Sequence, residues 1–162
     1  MKKYLLFLPL VFLLLLSGCS PNALKEKKAD VSSLFDNISS SFSAQFGELE
    51  TEGTLTFTPE KLTLEFTSPK TISGLEISVS TDSVTLSLNG LTVKKEKSKL
   101  TESFNAFAVF SALNSARSTG TLSFLDGKTV VTGDGFEITL DGENKISEIE
   151  IPEKRINIKL EW

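Results

Sequence analysis

The chain has 162 residues, with 17 lysines and arginines against 21 acidic residues, no histidine and a single cysteine, Cys19. Those absences exclude Ser-His-Asp and Cys-His catalysis, histidine metal sites, zinc clusters and internal disulfides. The length is that of one domain with one core, and an acidic chain without a basic stripe argues against nucleic acid as a partner.

Met1-Lys2-Lys3 is a short cationic start, and Tyr4 to Leu16 is an apolar run broken only by Pro9. Those 13 residues, at about 1.5 Å each, make roughly 20 Å of helix, short of a ~30 Å hydrocarbon core. The segment therefore reads as a secretory signal in preference to a transmembrane anchor. Leu16-Ser17-Gly18-Cys19 resembles a bacterial lipobox. That resemblance implies a lipoprotein signal peptide over residues 1–18, cleavage before Cys19, and acyl chains on Cys19. At about 0.8 kcal/mol per buried CH₂, two or three such chains hold a protein firmly on a membrane. The expected address is the extracytoplasmic face of a bacterial membrane: the cell membrane, or the outer membrane of a Gram-negative source. Residues 19–29 then form the lipidated cysteine and a polar tether, and residues 30–162 the domain.

Within the domain, Val31, Leu34, Phe35 and Ile38 fall at helical spacing behind Asp30, a candidate N-cap, and predict a first helix. From Phe42 the period changes to two. Phe42, Ala44 and Phe46 alternate with polar residues, as do Thr54–Thr58 and Leu62–Phe66 around a Pro59-Glu60-Lys61 turn. After a longer connection from Ser68 to Gly74, Leu75–Val79, Val84–Leu88 and Leu91–Val93 read as three further strands, the last two joined by Asn89-Gly90, a strong hairpin dipeptide. Leu100 to Ala116 predicts a second helix, with an apolar surface so broad that it must be buried on most sides. Thr121–Leu125, Lys128–Thr132, Phe136–Leu140, Ile146–Ile151 and Arg155–Trp162 complete a meander. Strands with one dry and one wet face belong to an antiparallel sheet, and so many of them must curl around something. The expected class is thus mainly β with two helices (α+β), a curved antiparallel sheet wrapping the helices.

Ser39-Ser40-Ser41-Phe42-Ser43-Ala44-Gln45-Phe46, then Gly53-Thr54-Leu55 and Pro59, then Phe66-Thr67-Ser68-Pro69, resemble the opening of LolA/LolB-like proteins. The match is best over the first half of the domain and consists of Phe, Gly and Pro landmarks. It implies a half-barrel that leaves an apolar concavity for acyl chains. The family includes lipoprotein carriers and acceptors, lipid-carrying lipoproteins and envelope-sensing regulators, and none of these landmarks is catalytic. The carriers themselves are not lipidated, so a lipobox points to an acceptor-like, lipid-shuttling or structural lipoprotein.

Chemistry-bearing motifs are missing. Gly120, Gly127, Lys128 and Thr129 have the wrong spacing for a phosphate loop and run into a strand, and the Asp-Gly pairs lack the closing glutamate of a calcium loop. No catalytic residue, metal ligand or cofactor is expected, and the chain reads as non-enzymatic. The phenylalanines are core residues by default, but Phe42, Phe46, Phe57, Phe66, Phe104, Phe107 and Phe110 are the candidates to face an apolar ligand, since walls of Phe suit acyl chains. Lys94, Lys95, Lys97 and Lys99 form a candidate basic patch for anionic lipid or an acidic partner. Two functions follow: sequestration of an acyl chain or other apolar ligand in the concavity, or a structural or regulatory envelope lipoprotein that binds a protein partner and fills the concavity with its own helix. The expected partners are membrane lipid through Cys19, acyl chains or an envelope protein, and not nucleic acid.

Overall fold

A computed structural model describes residues 31–99 and 105–162. The expected signal segment and tether, with Cys19, and also Phe104 lie outside the described residues. In chain order the elements are β1 (Ile38–Phe46), β2 (Leu49–Thr58), β3 (Lys61–Ser68), β4 (Glu76–Ser80), β5 (Ser83–Leu88), β6 (Leu91–Glu96), α1 (Asn105–Thr119), β7 (Thr121–Leu125), β8 (Lys128–Gly133), β9 (Phe136–Leu140), β10 (Ile146–Ile151) and β11 (Ile156–Glu161). All eleven strands belong to one sheet in the order β6-β5-β4-β3-β2-β1-β11-β10-β9-β8-β7. Every pairing is antiparallel. The chain thus meanders from the middle of the sheet to one edge and crosses through α1 to the other. It then meanders back until β11 pairs with β1.

The strands form where period-two alternation places Val, Ile, Leu and Phe on one face, and β1 shows it plainly: Ile38, Ser40, Phe42 and Ala44 are buried while Ser39, Ser41 and Gln45 are not. Ser40 is the polar exception on that face, and its Oγ donates to the Glu161 carbonyl at 2.7 Å. Asn89-Gly90 and Asp126-Gly127 have positive φ at both residues, as two-residue type I′ hairpins require.

The expected first helix is not there. Among the described residues the only α-helix is α1, and Ser32–Phe35 is a single 3₁₀ turn that leads directly into β1. The two-helix class is corrected accordingly to one large antiparallel sheet with one helix. The spacing of Val31, Leu34, Phe35 and Ile38 is satisfied by one turn plus a strand start: Leu34 N–H donates to the Val31 carbonyl at 3.1 Å, and Phe35 and Ile38 both reach the core. A helix propagating beyond that turn would have to run through Ser39-Ser40-Ser41, whose side chains compete for backbone hydrogen bonds and which instead pair with both β2 and, at Ser41, β11.

α1 packs on β3 and β4 at one side and on β8 and β10 at the other. β4 and β8 are seven inter-strand steps apart in the sheet order, about 34 Å if the sheet were flat, whereas fifteen helical residues span about 22 Å. The sheet therefore curves around the helix. No residue of α1 before Ser118 is exposed, as the breadth of its apolar surface predicts. Val109, Phe110, Leu113 and Ala116 are buried against the inner face of the sheet and the Ser32–Phe35 turn. At its C-terminal end Arg117 Nε donates to Asp36 Oδ1 at 2.9 Å, tying the helix to the segment between that turn and β1.

Candidate functional site

The six candidate phenylalanines among the described residues separate into two groups. Phe57 of β2 and Phe110 of α1 meet edge-on, centroids 6.2 Å apart, with Phe107 beside Phe110 at 6.3 Å. Phe57 and Phe110 are buried and Phe107 is half-buried, so this group is the contact between helix and sheet. Phe42, Phe46 and Phe66 make the second group, with Phe66 edge-on to Phe42 at 5.8 Å and to Phe46 at 6.3 Å. Phe104, the seventh candidate, lies outside the described residues.

Gly53 explains the second group. In the register it stands between Phe42 of β1 and Phe66 of β3, so the two rings close over a position with no side chain. A Cβ there would strike the Glu65 carbonyl oxygen of the neighbouring strand and come within 3.0 Å of the Phe42 ring. A shift of register beside Gly53 accompanies this close approach.

Beside this group the concave face opens into a cleft of about 270 Å³. Its floor is Leu64, Phe66 and Ile77 of β3 and β4, with Phe46 and Leu49 from the β1–β2 hairpin at one rim. Ile72 and Leu75, from the connection between β3 and β4, form another wall, and Asn105 and Ala106 of the first turn of α1 close the inner end. The connection is held by its own backbone: Gly74 N–H donates to the Phe66 carbonyl at 2.8 Å and Phe66 N–H to the Leu75 carbonyl at 2.9 Å. Asn105 is the one polar side chain in these walls. The volume is just under the ~300 Å³ at which small-molecule pockets begin, and suits a narrow apolar segment more than a bulky polar molecule.

The cleft does not end at β4. Leu64, Ile77, Leu86 and Val93 stand opposite one another across β3, β4, β5 and β6. Their exposure rises along that row from buried Leu64 through half-buried Ile77 and Leu86 to Val93 at 54 %. Leu91, on the same face of β6, is 77 % exposed. An apolar lane roughly 14 Å wide, three inter-strand steps, thus leads from the cleft to the sheet edge.

Lys94 and Lys95 are adjacent on β6 and so project to opposite faces of that strand, with Lys95 on the concave side opposite Val84 and Lys94 opposite Thr85. Lys97 and Lys99 follow in a 3₁₀ turn, where Lys99 Nζ lies 3.2 Å from Glu96. Lys94 and Lys95 therefore do not share one face, and on an edge strand such charges discourage pairing with another chain. A larger hollow of about 520 Å³ lies on the convex side, among Ser43, Gln45, Glu50, Glu52, Asn157 and Lys159. It is a largely polar surface, and Asn157 at its wall donates through Nδ2 to Glu148 and Glu150 at 2.9 Å each. Among the described residues no group of three metal-ligating side chains converges, and no helix is long and apolar enough to cross a membrane.

Phe46 and Phe66 are the sequence candidates that line the cleft. Leu49, Ile72, Leu75 and Ile77 are not singled out by sequence, although an isoleucine inside a polar connection is an available signal.

The solved structures similar over most of the chain include two from bacteria. One is an uncharacterized conserved protein from Thermus thermophilus, 12% identical, with 81% of this chain and 79% of that one covered and a TM-score of 0.47. The other is a LolA superfamily protein from Nitrosomonas europaea, 9% identical, with 80% and 72% covered and a TM-score of 0.37. No protein-family model matches the chain, and no curated protein matches it. Identities this low carry over no residue role.

Proposed function

We propose that the chain is a lipid-anchored extracytoplasmic lipoprotein, non-enzymatic, that sequesters an acyl chain or another apolar ligand in the cleft beside α1. The observation that supports this most is the cleft itself: seven of its nine lining side chains are Phe, Leu or Ile, and an apolar lane connects it to a sheet edge. Desolvation of such a segment provides the affinity, since each buried methylene contributes about 0.8 kcal/mol. The Cys19 anchor would keep exchange next to a membrane. Titration with a fluorescent fatty acid tests the binding, and metabolic labelling with a fatty-acid probe tests the anchor: Cys19→Ser removes the thiol that accepts lipid, so label that persists on this variant contradicts the lipoprotein reading.

A second reading has an observation of its own. Phe57, Val109, Phe110 and Leu113 fill the centre of the concave face, which is how a structural or regulatory lipoprotein would use its helix as a plug and bind a protein partner elsewhere. Absence of saturable fatty-acid binding favours this second reading.

A further inference from the structure

The sheet ends in two edges of opposite character. Among the described residues neither β6 nor β7 has a partner on its outer side. β6 carries Lys94, Lys95 and Glu96, the usual protection of an edge, whereas β7 is Thr-Leu-Ser-Phe-Leu, with no charge, proline or bulge. Phe124 is 75 % exposed and Leu125 53 %. We propose that β7 pairs antiparallel with β7 of a second copy of this chain, about a two-fold axis at Ser123.

The register of the β7–β8 hairpin dictates this pairing. Asp126-Gly127 is a two-residue turn closed by Leu125 and Lys128, so those two exchange both backbone hydrogen bonds, as do Ser123 and Val130 two positions on. The alternate residues, Leu122 and Phe124, therefore aim their N–H and C=O groups at the free edge. A two-fold axis at Ser123 sets Leu122 of one copy opposite Phe124 of the other, twice over. Those are the residues with backbone groups to give, and both side chains lie on the same face. The exposed Phe124 rings thereby gain an aliphatic partner. No charge of β7 opposes another, whereas the same operation on β6 gathers the Lys94 and Lys95 side chains of both copies into one short ribbon. A contact of five-residue strands buries less than the ~1,200 Å² of a standard stable interface, so the pairing is reversible and concentration-dependent.

Ser123 and its symmetry mate form a non-hydrogen-bonded pair, with Cα atoms about 4.5 Å apart, inside the range a disulfide bridges. The full chain carrying Ser123→Cys is oxidised mildly at several concentrations, run without reductant and mapped by peptide mass spectrometry; wild type, with Cys19 alone, is the blank. The expected result is a dimer linked 123 to 123, cut about tenfold when Phe124→Glu is added, while Thr92→Cys on β6 stays at the blank level. Both positions on β7 are exposed, so circular dichroism and urea midpoints should match wild type. A 123–123 link no more abundant than that of Thr92→Cys, or one indifferent to Phe124→Glu, overturns the proposal. If oxidation in whole cells joins the introduced thiol at position 123 to a different protein, the edge belongs to that protein. If phosphatidylcholine vesicles abolish the link, it belongs to a membrane. Either outcome also overturns the proposal.

Discussion

The two phenylalanine groups lie on the same concave face and are built from the same residue type, yet they do different things. Around Phe57 and Phe110 the helix lies directly on the sheet, and the rings are buried by neighbours from both layers. Around Phe46 and Phe66 the helix has only begun, at Asn105 and Ala106, and the space it would fill further along is left as the cleft. Packing with no gap gives stability, and packing with one leaves the space that the proposed ligand would occupy. The contrast teaches that the path of one helix across a curved sheet, and not the choice of side chain, decides which aromatic residues are available to a ligand.

Four substitutions test this contrast. The largest effect is expected at its packed end: Phe57→Ala should lower stability by about 3–5 kcal/mol in urea melts, the range for truncating a fully buried Phe. An effect below ~1.5 kcal/mol would mean that the helix is not seated there. Gly53→Ala should cost about 1–3 kcal/mol, because the new methyl meets the Glu65 carbonyl and forces β2 and β3 apart. It should also disturb the Phe42–Phe66 contact, read from aromatic ring shifts by NMR.

Phe46→Ala, at the open end, should cost only about 1 kcal/mol, since its ring is half-buried and at the rim. Binding of a fluorescent fatty acid should weaken about five- to tenfold, the loss of one apolar wall. The smallest effect is expected at Arg117→Met, about 0.5–1 kcal/mol, because the Asp36 pair is partly solvated. A cost several times larger would show that the Ser32–Phe35 turn and the helix depend on each other through this one contact.

Much of the sheet was legible in the sequence because alternation is a local signal, and the Asn89-Gly90 and Asp126-Gly127 turns have a mechanism in positive φ. The expected first helix fails because Val31, Leu34, Phe35 and Ile38 meet the core equally well as a 3₁₀ turn entering a strand. No local pattern separates those two at four residues. The cleft was legible only in part. Phe46 and Phe66 stand out as aromatic, but Leu75 and Ile77 look like ordinary strand residues and Ile72 like loop, and their convergence depends on where α1 crosses strands distant in sequence. Likewise Phe57 and Phe66 have equivalent sequence surroundings, and only the crossing distinguishes plug from wall.

Whether the cleft is a binding site is tested most directly by filling it. Ile77 is half-buried on its floor, so Ile77→Trp should occupy much of the ~270 Å³ while leaving the packed Phe57–Phe110 centre alone. A fluorescent fatty acid should bind wild type saturably and bind Ile77→Trp at least about tenfold more weakly, with the urea midpoint little changed. Equal binding by the two folded proteins, or no saturable binding by wild type, would contradict the account and leave the concave face as a plugged core.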